Sequence, residues 1–196
     1  KLLDGSLAAE GGTAATSVGK IDGVNVVDID PTKGTYGTNA AVPKFGTAAA
    51  AGDKITATIS LTDADGKATK EVTVELTCTD ATKKTWTDAD GNEYTADATK
   101  EAEVGAALAS ALNKNADVKA NFNVTFEAAA VAGVVGANGL KFEATNAGAS
   151  AMQVKAVNFS TTAEGATTVS NNAVLSNPGV DSYQTIDITS LKIYEG

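Results

Sequence analysis

Histidine and arginine are both absent from this 196-residue chain, and all fifteen of its basic residues are lysine. Without His, the commonest general base and the commonest imidazole metal ligand are missing. Without Arg, so is the bidentate clamp for phosphate and carboxylate groups. A single cysteine, Cys78, excludes an internal disulfide. No run approaches the roughly 20 apolar residues of a transmembrane helix, and Lys1 to Glu10 carry no signal-peptide pattern. Scarce cysteine fits a cytoplasmic protein, or one exported by a route that never forms disulfides. Aromatics make up only 5% of the residues, with one Trp. Any core must therefore be built from small and β-branched side chains. Ala, Thr, Gly and acidic charge are plentiful instead. The net charge of −9 repels nucleic acid and anionic membranes and suits crowded, soluble copies.

Strand signals are clearest between residues 54 and 79. Ile55, Ala57, Ile59 and Leu61 alternate with polar residues, and Val72, Val74, Leu76 and Cys78 repeat the pattern. Period two predicts half-buried antiparallel strands. Asp63-Ala-Asp-Gly66 between them is a turn signal, so a hairpin is expected. The same wording, Asp88-Ala-Asp-Gly91, joins Lys84-Thr-Trp86 to Glu93-Tyr94 and predicts a second hairpin with Trp86 near Tyr94.

One segment changes to helical period. Val104, Ala107, Leu108, Ala111 and Leu112 predict about three turns of amphipathic helix. Thr99 or Asp97 is the expected N-cap, Glu101 and Glu103 suit the dipole, and Asn113 or Asn115 is the expected stop. Strands resume at Phe122, Val124 and Phe126, at Leu140 and Phe142, and from Met152 to Phe159, where a slip of phase at Val157 predicts a bulge. Ala128 to Gly139 reads as an irregular loop ending in the Asn138-Gly139 turn. Residues 8–20 and 31–52 read as surface loops or linkers. Val24 to Ile29, Ile186 to Ile188 and Leu191 to Ile193 read as terminal strands, expected to pair and bring both ends to one side.

Candidate chemistry is thin. Asp63, Asp65, Asp88 and Asp90 offer alternating carboxylates, but neither loop places the bidentate Glu an EF-hand needs, and Asp-Gly is ordinary hairpin wording. Cys78 lies in phase with core positions and has no His to activate it, so a buried thiol is expected. Ser182 to Thr185 likewise lack a His partner. Glu101 and Glu103 are a carboxylate pair of the kind glycosidases use, yet they sit where a helix start favours acids. Neither GxGxxG nor GxxxxGK[ST] occurs. Asn123-Val-Thr125 and Asn158-Phe-Ser160 match the N-glycosylation sequon within predicted strands. Phe122, Val124 and Phe126 could form a ligand platform, but an alternating apolar face is more often core. These residues point to no catalytic, cofactor or metal site.

Two stretches resemble a known family. Lys1-Leu-Leu-Asp-Gly-Ser-Leu7 is similar to the segment that follows the N-terminal helices of bacterial flagellins. Glu103 to Asn113, Val118-Lys-Ala120, Gly139 to Ala144 and Ala147 to Met152 together resemble the flagellin IN motif. That motif runs from a helix ending in Leu-Asn to a strand near "V-x-A", a "G-x-L" strand and a small-residue turn. The segment Glu127 to Asn138 is longer than the motif's usual connection, and the long terminal helices of flagellin are not in this sequence. The resemblance implies the central, outer region of a flagellin, exported unfolded through the flagellar channel. Residues 1–20 would be a stub and linker from the filament-core stalk. Residues 21–196 would form the outer variable domain, with the IN-like module at about 53–160 and terminal strands at about 21–30 and 183–194.

The expected fold is α+β, mostly β: antiparallel sheet with hairpins and one short amphipathic helix packed on it. The expected role is structural and not enzymatic, without cofactor, on the extracellular flagellum. Its implied partners are other flagellin subunits, through helices outside this sequence, and host antibodies; nucleic acid and membrane are not expected, and the fragment alone should be a monomer. A filament-cap or hook-associated domain and a surface adhesin module are the alternatives.

Overall fold

The computed structural model describes residues 25–63, 66–67, 69–148, 152–162 and 172–187. Residues 1–7, 8–20 and 191–193, on which part of the sequence reading rests, lie outside that set. The chain divides into two compact units, residues 31–181 and residues 1–30 with 182–196. In the smaller unit, β1 (Asn25–Ile29) pairs antiparallel with β11 (Tyr183–Asp187), with Asn25 opposite Asp187 and Ile29 opposite Tyr183.

Among its described residues the larger unit holds nine strands and two helices. In chain order these are β2 (Lys33–Thr38), β3 (Lys54–Thr62), β4 (Thr69–Asp80), β5 (Thr85–Thr87), β6 (Glu93–Thr95), α1 (Glu101–Lys114), α2 (Ala116–Asn121), β7 (Phe122–Glu127), β8 (Gly139–Ala147), β9 (Gln153–Thr161) and β10 (Asn172–Asn177). The strands join in the order β6-β5-β4-β3-β9-β10-β2-β8-β7, and every pairing is antiparallel. This is the mostly-β α+β class expected from the periodicities. Helix α1 touches β4 and β6 near one end of that order and β7 and β8 at the other. Since one helix reaches both ends, the sheet must curl around it. The inward faces then share one core, in which Ile55, Ile59, Leu61, Val72, Leu76, Cys78, Leu108 and Leu112 are all buried.

Local wording explains the first half of the sheet. Ile55 faces Leu76 and Ile59 faces Val72 across β3 and β4, as the alternation requires. Trp86 stands opposite Tyr94 across β5 and β6, although the ring that packs edge-on to Trp86 is Phe45, at 5.9 Å. The expected bulge falls two residues before Val157: Ser60 pairs with Ala156 and Leu61 with Val154, leaving Lys155 as the extra residue.

Three sequence readings need correction. Residues 31–52 are not a surface loop throughout. They contain β2, interior to the sheet between β10 and β8, and they bury Tyr36, Thr38, Val42 and Phe45. The two glycines of Lys33-Gly-Thr-Tyr-Gly-Thr38 disguise the strand. Gly37 is required because a Cβ there would run into the Val134 carbonyl oxygen, which crosses it. The N-cap of α1 is Lys100, not Thr99 or Asp97. The Asp97 carboxylate instead accepts from the Thr99 backbone N–H and hydroxyl, closing the turn before the helix. Finally, Val118-Lys-Ala120 begins no strand but lies in α2. Asn115 ends α1, as expected, and also starts α2, its side chain accepting from the N–H groups of Asp117 and Val118. A six-residue helix is too short to show its period in sequence, and Val118 is its single buried anchor.

Candidate functional site

A shallow cleft open to solvent lies where the β5–β6 hairpin loop meets β4 and the end of α1. Thr73, Glu75, Asp88, Asp90, Lys114 and Asn115 contribute its polar lining. Asp88 is the hub. Its Oδ1 accepts the backbone N–H groups of Asp90 and Asn92, and its Oδ2 accepts the Asn92 side-chain amide and, at 2.7 Å, the Tyr94 hydroxyl. Burial pushes this carboxyl up, but the bonds from Tyr94 and Asn92 outweigh it and hold the group below the usual carboxylate range. The Tyr94 hydroxyl is driven well above its ordinary value, by burial first and then by its bond to Asp88. Lys114 places its ammonium 4.7 Å from the centre of the Tyr94 ring.

This arrangement braces a hairpin. Four donors already occupy both Asp88 oxygens, so a cation would have to displace them. In the other loop of the same wording, Asp63 Oδ1 accepts the Lys67 backbone N–H, and Gly66 takes the positive φ that such a turn needs. Among the described residues, no three His, Cys, Asp or Glu side chains converge as metal ligands.

The remaining sequence candidates are separated from one another. Cys78 is 1% exposed, opposite Trp86 in the sheet, and burial raises its pKa, followed by the nearby charges of Asp53 and Asp80. The thiol is thus held in its unreactive form. Glu101 and Glu103 face different networks. Glu101 pairs with Lys44 and accepts from the Asn138 side-chain amide. Glu103 accepts the Asp97 backbone N–H at 2.7 Å and pairs with Lys100. Both bonds lower its pKa, the backbone one most. Asp97 is pulled further down, chiefly by the Lys84 ammonium at 2.8 Å and then by Thr99. Phe122 and Val124 are core, Phe122 packing edge-on to Tyr36 and Phe142. Phe126 lies against Gly105, where any Cβ would strike its ring. Asn123 is exposed on β7, while Asn158 is half-buried on β9. Ser182 to Thr185 belong to the smaller unit.

Asn113, one of the two residues expected to stop α1, has a different role. It does not stop the helix. Its side chain takes the place of a neighbouring strand on β7, the last strand of the sheet. Asn113 Oδ1 accepts the Val124 N–H at 2.8 Å, and Asn113 Nδ2 donates to the Val124 carbonyl at 2.7 Å. A carboxamide carries the same donor and acceptor as a peptide group, so it satisfies both edge groups together. The Leu112-Asn113 pairing within the IN-like stretch was the available signal: Leu112 is buried in the core, and the next residue falls beside the sheet edge.

Among the described residues, no helix is long and apolar enough to cross a membrane. No family model, curated protein or solved structure matches the chain.

Proposed function

We propose that this chain is the outer, surface-displayed part of a bacterial flagellin: a structural component of the flagellar filament with no catalytic role. Supporting it are the likeness of Lys1 to Leu7 to the segment after flagellin's N-terminal helices and the IN-like wording between Glu103 and Met152. The observation that carries the reading in three dimensions is the β1–β11 pairing. Asn25 lies opposite Asp187, so the chain directions beyond both residues start side by side. A module inserted into a longer chain needs its two ends together. The surplus of acidic charge keeps neighbouring copies apart over about a Debye length of 8–10 Å. In this reading the partners are other flagellin subunits, joined through helices outside this sequence, and host antibodies meet the displayed surface. Nucleic acid and membranes are not partners. The location is the extracellular flagellum, and the fragment alone is monomeric at micromolar concentration.

The test is a deletion in the parent gene that joins Asp30 to Ser182 through a short turn, leaving β1 and β11 as a hairpin. Electron microscopy should show filaments that have lost outer density and no longer bind antibodies raised against this chain. A strain that exports the shortened protein but builds no filament would sink the proposal, as would ordered filaments formed by the isolated fragment.

A further inference from the structure

The connection between β7 and β8 rises to a tip, Ala128-Ala-Ala-Val-Ala-Gly133, in which all six residues are exposed. Its two limbs are held unequally. On the descending limb, Val135 is buried, the Gly136 N–H donates to the Thr38 carbonyl at 2.8 Å, and the Asn138 amide is tied to Glu101. Among the described residues, the backbone bonds reaching the tip itself are Asn138 N–H to the Ala128 carbonyl, at 3.3 Å, and the Val131–Val135 bridge with Val134 N–H beside it. The peptide groups of Ala129, Ala130 and Ala132 take part in none of these. The whole connection, residues 128–138, consists of Ala, Val, Gly and one Asn. It contains no Lys, Phe, Tyr or Leu for the side-chain pocket of a trypsin-like or chymotrypsin-like protease.

We propose that this tip is a proteolytic processing site for a serine protease whose specificity pocket takes small aliphatic side chains, the elastase type. Exposed loop tips with weak backbone bonding are where chains are nicked, because a local opening presents the strand without unfolding the domain. Here the pocket selects the enzyme. Water adds across one peptide bond between Ala128 and Gly133, giving a new carboxylate and a new ammonium and consuming no other reactant. Cleavage leaves the fold assembled. β7 stays clamped by Asn113 and covered by α1, while β8 stays paired with β2. The inference stands on loop geometry and holds whether or not the flagellin reading does.

The test is limited digestion of the folded chain with pancreatic elastase, followed by N-terminal sequencing and mass measurement. A new N-terminus between Ala129 and Gly133 is expected, with both fragments co-eluting at the native position and separating only in denaturant. If all bonds from Ala128 to Gly133 survive conditions that digest the denatured chain, the proposal fails. An Ala130→Lys variant checks access independently of elastase. Trypsin should then cut after position 130 in the folded protein, at least tenfold faster than it cuts anywhere in 122–147 of the parent chain. Resistance of that variant to trypsin would also overturn the site.

Discussion

The two halves of the nine-stranded sheet are built from the chain in opposite ways. In β6-β5-β4-β3-β9, four of the five strands come from the continuous stretch between residues 54 and 95, joined by short hairpin turns. In β10-β2-β8-β7, strands β2 and β10 come from segments near opposite ends of the larger unit, and they pair with each other. The first half is organised by local patterning: alternation, Asp-Gly turns and the Asp88 brace. The second half depends on close approaches between distant segments, seen at Gly37 under the Val134 carbonyl and Gly105 under the Phe126 ring. Local wording thus makes the hairpins, and long-range packing makes the remainder.

The strongest challenge to that division is Leu108→Ala. Leu108 is fully buried in the helix that touches both halves, and its truncation should cost about 2–5 kcal/mol. If the halves share one core, thermal unfolding should remain a single transition, followed equally by Trp86 fluorescence and by far-UV circular dichroism. Two separated transitions would show that the halves are independent.

Gly37→Ala isolates the second half. The added methyl meets a backbone oxygen that cannot rotate away, so a loss of about 1–3 kcal/mol is expected from overpacking. Amide exchange should accelerate in β2 and the 128–138 connection and change little in the β3–β4 hairpin. Uniform acceleration would mean that the connection is not a local latch.

Asn113→Ala probes the sheet edge alone. It strands the N–H and carbonyl of Val124, which is buried, and should cost about 1–3 kcal/mol. The discriminating readout is the Val124 amide, whose exchange should rise more than that of Phe142, its neighbour in β8. Unchanged exchange at Val124 would remove the strand-mimic role from Asn113.

The smallest effect belongs to carboxylates of the first half and of the turn and helix that follow it. Asp88, Asp97 and Glu103 all have lowered pKa values in the folded chain. A carboxyl lowered on folding adds stability above its unfolded pKa of about 4, and that contribution is lost as pH falls through the folded value. Melting temperature should therefore be flat from pH 7 to about pH 5 and decline below about pH 4. Asp97→Asn should flatten the decline, since Asn can still accept from Thr99 but has no charge to lose. A decline just as steep in that variant would place the acid sensitivity elsewhere.

Sequence alone determined what depends on near neighbours. The alternation of β3 and β4 followed from their apolar spacing, α1 from its i, i+3, i+4 stripe, and the Trp86–Tyr94 register from the Asp-Gly turn between them. Cys78 was legible as core because its phase matched Val72, Val74 and Leu76. Tertiary structure decided what depends on partners far along the chain. The glycines of β2 contradict strand propensity, and they are tolerated only because another segment's backbone occupies the space a side chain would fill. Asn113 resembles any residue near a helix end until an unpaired strand edge lies beside it. Glu101 and Glu103 look like a pair until separate networks draw them apart. Periodicity is a property of one segment and its solvent, whereas a hydrogen-bond partner or a close approach belongs to two segments, and only the folded chain brings them together.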